Sequence, residues 1–251
     1  MRAYLLDKAL SQIDEGLFES AADTSIGLDT DQERLLVVFA LLDRDAIDQA
    51  RAVTARMADA HPALEAIASW LVRSGRYEEG AAEASRIPSC RRNWRVWWIL
   101  GDCYEHKGWC AEARRAYRAA ERTGRPDGRL AFNIGNSYFD EGRFQQAVLE
   151  YARAEQLGWV NRSLYLCWAL SLERLGEYRR ALRLAERASN VSPPCLRTME
   201  LVVRCLRACH RKRELARYIA GIDSAKQAEY LRRYVKDLDK REGRCPPRRR
   251  P

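Results

Sequence analysis

Apolar positions along the chain recur at helical spacing in short stretches that come two at a time, with a glycine between the members of most pairs. In residues 97–126 the repeating positions are Gly101, Tyr104, Gly108, Ala113, Tyr117 and Ala120. A step of 34 residues reaches Gly135, Tyr138, Gly142, Ala147, Tyr151 and Ala154, and a second reaches Ala169, Leu172, Gly176, Ala181, Ala185 and Ala188. A step of 33 back from the first set reaches Ala68, Leu71, Gly75, Gly80, Ala84 and Ile87. A fixed period of this length predicts stacked antiparallel helix pairs, because a single pair cannot bury its own apolar face. The small residues at 101, 135 and 169 mark a close crossing of the second helix, with Ala113, Ala147 and Ala181 expected to face them. Gly75, Gly108, Gly142 and Gly176 stand where the first helix must stop, and glycine tolerates the left-handed backbone that ends it. Pro88, Pro126 and Pro193 block continuation of the second helix.

Weaker copies flank these four. Residues 35–60 place Val38 and Ala50 in the small columns, and residues 4–27 align through Ala9, Gly16, Phe18 and Ala21. Residues 196–222 continue the step with Val203 and Leu206, although Lys212 and Leu215 replace the aromatic and alanine of the second helix. In 224–242, Ser224 and Gln227 have capping-box spacing, and Ala228, Leu231, Val235 and Leu238 form one apolar stripe. The expected organisation is one array over 2–242, with repeats at about 2–28, 31–60, 61–93, 94–127, 128–161, 162–195 and 196–222. A capping helix over 224–242 and a disordered basic tail over 243–251 complete it.

Trp97, Leu100, Gly101, Tyr104, Ala113, Tyr117 and Pro126 follow the pattern W-x2-L-G-x2-Y, A-x3-F and a later proline. On these residues the chain resembles the tetratricopeptide repeat family. The resemblance implies an all-α, right-handed superhelical solenoid whose first helices line a concave groove, and a scaffold or adaptor that binds a peptide or helix of another protein there. Carried onto this sequence, the groove residues are Arg95, Trp98, Asp102 and Glu105, then Arg129, Phe132, Asn133, Asn136 and Phe139, then Leu166, Leu170 and Glu173. Trp98, Phe132 and Phe139 would be partly exposed aromatic anchors, or would pack on a neighbouring helix. Asn133 and Asn136 both donate and accept hydrogen bonds. Asp102 and Glu105 would repel the acidic chaperone tails that some members of the family hold.

Charge adds a second reading. Residues 1–60 carry 6 basic and 12 acidic groups, whereas residues 196–251 carry 17 and 7. Arg197, Arg204, Arg207, Arg211, Lys212 and Arg213 form a basic patch that would suit nucleic acid or an acidic protein surface, although charges interleaved with apolar positions also fit a solvated helix face. The opposite ends, with Leu35, Phe39 and Leu42, would also suit self-association. The eight cysteines include no CxxC. Cys103, His106 and Cys110, or Cys205, Cys209 and His210, fall short of four converging ligands. Free thiols are expected, with no metal or cofactor. Only three histidines occur, and no nucleophile elbow, phosphate loop or zinc-protease motif, so no catalysis is expected. No apolar run approaches the roughly 20 residues of a membrane span, and the first residues do not read as a signal peptide. The expected location is the cytoplasm, away from membranes.

Overall fold

The computed structural model describes residues 2–124 and 127–242. Pro126 and the basic tail 243–251 lie outside them. Chain packing divides the protein into two compact units, Met1–Pro126 and Asp127–Pro251, where the sequence suggests one continuous array. The described residues hold α-helices joined by turns and two short 3-10 segments, with no strand among them. The first unit contains α1 (Arg2–Asp14), α2 (Phe18–Thr24), α3 (Asp31–Asp43), α4 (Ile47–Thr54), α5 (His61–Arg73), α6 (Tyr77–Ser85), α7 (Trp94–His106) and α8 (Cys110–Thr123). The second contains α9 (Gly128–Asp140), α10 (Phe144–Gln156), α11 (Arg162–Arg174), α12 (Tyr178–Val191), α13 (Leu196–Ala208), α14 (Lys212–Ala220) and α15 (Ala225–Glu242). Odd-numbered helices up to α13 are the first members of each pair and stack on one another within each unit, as α3 does on α5 and α11 on α13.

One turn joins every pair. After each first helix, one residue adopts a left-handed backbone: Gly16, Asp45, Gly75, Gly108, Gly142, Gly176 and His210, with φ between 57 and 80°. Its amide and the next one fold back on the helix end. Gly142 N donates to Phe139 O and Arg143 N to Tyr138 O, both at 2.9 Å. This double bond satisfies carbonyls that the helix end leaves open. Asp45 and His210 make the same bonds without glycine, so each holds a conformation that costs an L-residue about 1–2 kcal/mol.

The starts of the first helices are capped at the same period. The Asn93 side chain accepts from the amides of Arg95 and Val96, Asp127 from Arg129, and Asn161 from Leu164. Thr30 forms a full capping box with Glu33. Ser224 Oγ accepts from the Gln227 amide at 3.5 Å at the start of α15.

The core of each pair is set by a glycine against a ring. A Cβ on Gly101 would lie 2.4 Å from Cε1 of Tyr117, and one on Gly135 would lie 2.6 Å from Cε1 of Tyr151. Both tyrosines are fully buried. This corrects the assignment from sequence: the tyrosine ring, rather than Ala113 or Ala147, fills the space over the glycine. The next repeat substitutes both partners together, with Ala169 and Ala185 fully buried in one cluster, and the repeat before uses Ala68 and Ala84. A ring over a glycine is thus exchanged for two small side chains, one on each helix. Between α4 and α6, Arg51 donates to Glu83 at 2.7 Å and to Glu79 at 3.1 Å, while Arg86 donates to Glu83 from the other side.

Two outcomes follow for stability. Gly101→Ala alone should cost about 1–3 kcal/mol by overpacking, and Tyr117→Ala alone about 3–5 kcal/mol. The double variant rebuilds the Ala169–Ala185 arrangement, so in urea unfolding it should lose at least about 0.5 kcal/mol less than the sum. Strict additivity would remove the glycine–ring account. Separately, His210→Gly should stabilise the chain by about 0.5–1 kcal/mol, the relief of left-handed strain less the added freedom of the unfolded chain, seen as a higher melting temperature.

Candidate functional site

In the first unit, α3, α5 and α7 present a groove of about 460 Å³. Leu35 and Phe39 come from α3, Pro62, Glu65, Ala66 and Ser69 from α5, and Trp94, Arg95 and Trp98 from α7. Helical spacing explains the set, because Leu35 and Phe39 lie four apart and Trp94 and Trp98 lie four apart, so each pair shares a face. Phe39 is 47% exposed and Trp94 36% exposed, while Trp98 is half-buried. Trp94 lies outside the groove positions that the resemblance implies. Its signal was an aromatic one turn before Trp98, outside the repeating core columns. The polar rim is organised: Asn93 Nδ2 donates to Glu65 Oε2 at 2.7 Å, and the Arg95 guanidinium lies 3.8 Å from Glu65 and 5.4 Å from the Trp94 ring centre. Leu42, expected beside Phe39, is buried in the core. It sits three residues beyond Phe39, which turns it past the groove onto the inner face of α3.

Asp102 and Glu105 are tied to the core. Tyr117 Oη lies 2.7 Å from Asp102 Oδ1 and 2.6 Å from Glu105 Oε2, so the hydroxyl proton is held between two carboxylates. Burial first, and then these two charges, push the Tyr117 phenol far above its usual range.

In the second unit the equivalent tyrosine, Tyr151, donates to Asn136 Oδ1 at 2.9 Å, leaving the amide N–H groups of Asn136 for other partners. Phe132 is half-buried, tilted against Tyr151 with ring centres 5.8 Å apart, and Phe139 meets Phe144 edge-on at 5.4 Å. Arg129 and Asn133 are half-buried on the same helix. Leu166 and Leu170 are only 8% and 7% exposed. Their assignment to an open apolar strip is therefore corrected: both belong to the packed core of α11, α12 and α13, where apolar side chains on neighbouring helices cover them.

The basic patch changes most. Arg204 is held by Glu173 through two bonds, at 2.5 and 2.9 Å, and by Tyr234 Oη at 3.2 Å. Arg207 pairs with Asp239 at 2.5 Å, and Arg211 pairs with Glu214. The partners of Arg204 and Arg207 come from α11 and α15, which sequence order alone does not bring beside α13, whereas that of Arg211 is three residues on. Arg204 and Arg207 instead line a cavity of about 730 Å³ with Glu173, Leu215, Val235 and Leu238. Glu173 is thus a partner of Arg204 rather than an open groove acid. Arg197, Lys212 and Arg213 are exposed.

The cysteine clusters do not assemble. Among the described residues no three His, Cys, Asp or Glu side chains gather as metal ligands. Cys103 and Cys205 are buried, and burial pushes each thiol up to about 12. His106 stacks on Tyr77 with ring centres 3.5 Å apart. No helix among the described residues is long and apolar enough to cross a membrane.

By sequence, the chain matches no protein-family model and no curated protein. Its structure is similar to a MamA structure (AMB-1), with a TM-score of 0.58 and 14% identity over 68% of this chain and 98% of that one. It is similar to YrrB, described as a TPR protein with an unusual peptide-binding site, with a TM-score of 0.57 and 16% identity over 70% of this chain and 92% of YrrB. PilF of Pseudomonas aeruginosa gives a TM-score of 0.59 and 16% identity over 81% of this chain and 97% of its own. At such identities the likeness is one of fold.

The clamped phenol has a measurable signature. The folded state holds the Tyr117 proton more tightly than the unfolded chain does, where a phenol titrates near 10. Its contribution is therefore complete below that pH and lost as pH rises above it. The stability difference between wild type and Tyr117→Phe should be flat from about pH 7 to 9 and should shrink above about pH 10. A difference independent of pH across that range would contradict the clamp.

Proposed function

The chain has the tetratricopeptide-type helical-repeat fold, and from that premise we propose that it is a scaffold whose first-helix face in residues 1–126 holds an apolar-bearing segment of another protein. The observation that carries this reading is the groove of Leu35, Phe39, Trp94 and Trp98, with Phe39 and Trp94 left open to solvent. Large aromatics cost little entropy to order and bury much apolar area, so a few of them supply most of the energy of a contact. The rim suits the same role, because Glu65 is fixed by Asn93 and Arg95 and presents oriented polar groups around an apolar floor.

YrrB, a TPR protein with a peptide-binding site, supports peptide capture on this fold. In the second unit, Phe132, Asn133, Asn136 and Phe139 on α9 offer the matching elements, an aromatic pair and amides. Leu166 and Leu170 add nothing there, since both are buried.

Affinity capture of partner proteins, with wild type and variants compared at equal loading, tests the reading. Phe39→Glu places a charge in the groove at a position already exposed, and should lower partner recovery at least about tenfold. Trp98→Ala should do the same, with its melting temperature recorded alongside. Arg115→Glu, on the exposed side of α8, should leave recovery unchanged. Equal recovery with Phe39→Glu and wild type would reject the groove.

A further inference from the structure

The second helices of the second unit carry a groove of different chemistry. Between α12 and α14 lie two cavities of about 470 and 540 Å³, both lined by Leu182 and Glu186 and so adjoining. Leu182, Val202 and Leu206 line the groove only at their edges, each 3–4% exposed, and the half-buried Tyr218 lies beside them. Tyr218 also lines it, and its hydroxyl is buried with no hydrogen-bond partner among the described residues. Such a group costs about 1–3 kcal/mol until something accepts its proton.

The arginines at and around the groove differ in their pairing. Arg180, Arg187 and Arg211 are paired with Glu177, Glu155 and Glu214. Arg179, Arg183 and Arg217 make no ion pair among the described residues, and all three line the groove. Glu214 is neutralised by Arg211, which leaves Glu186 as the carboxylate opposing three unpaired cations.

We propose that the α12–α14 groove is a second docking site, separate from the first-helix face, and that it takes an acidic amphipathic helix of a partner protein. An apolar ridge at spacing i, i+3, i+4 and i+7 packs on the Tyr218 ring and the edges of Leu182, Val202 and Leu206. Carboxylates flanking that ridge meet Arg179, Arg183 and Arg217, whose planar guanidinium groups pair with carboxylates through two bonds. A nucleic-acid strand fits worse, because its phosphates leave these apolar edges uncovered and meet Glu186 at the centre.

The test uses the full chain and a fluorescein-labelled 18-residue peptide with leucines at helical spacing and glutamates on both flanks, read by anisotropy. Saturable binding is expected, weakened about tenfold or more in Arg183→Glu/Arg217→Glu and unchanged in Phe39→Glu. A peptide with lysine for every glutamate should not bind. These arginines are unpaired, so the double variant should keep the wild-type melting temperature and remain a fair comparison. The proposal is overturned if the double variant binds as wild type does, if Phe39→Glu abolishes binding, or if the lysine peptide or a single-stranded DNA 20-mer binds equally well. Loss with Phe39→Glu would point to the first-helix face and leave the proposed scaffold function standing.

Discussion

Each helix pair depends on one backbone condition: the chain must reverse within three residues without leaving helix-end carbonyls unpaired. The left-handed residue after every first helix meets that condition, and its own amide and the next one close the helix end. Once direction is reversed there, the second helix has little choice of height along the first. That is why the crossing falls at the same column in each repeat, and why a glycine, or a paired alanine, is needed where the backbones approach. The caps at Asn93, Asp127 and Asn161 fix the other end of the same unit. Start, stop and crossing are therefore coupled, and a change at one is felt at the others.

Most of this was legible in the sequence, because it is local and periodic. Gly108 and Gly142 announce the turn, and the 34-residue step locates the helices. The left-handed turn survives Asp45 and His210, which depart from glycine, because it rests on hydrogen bonds made by any residue and only its cost depends on the side chain. The identity of the atoms over Gly101 was less legible. Alanine and tyrosine columns both lie on the inner face, and spacing does not say which side chain reaches the crossing.

The candidate sites were less legible still, for a physical reason. A helix periodicity reports which side of a helix is apolar, but not whether a neighbour covers it. Leu166 and Leu170 therefore looked open and are buried, whereas Trp94 lines a groove that its flanking residues did not suggest. Charge is worse served by sequence. Arg204 and Arg207 read as a free basic patch because Glu173, Tyr234 and Asp239 stand about 30 residues away on either side.

Those same distant pairs set how such a chain changes length. Arg51 with Glu83, Arg187 with Glu155, and Arg204 with Glu173 all join one repeat to the next at separations of 31 or 32 residues. One residue added inside a helix between two partners rotates the positions beyond it by about 100° and breaks every such link across that helix. Copying a whole repeat leaves each link intact and adds one more of the same kind. Evolution of the array should therefore proceed by duplication and loss of entire units, with small insertions confined to the turns that separate them.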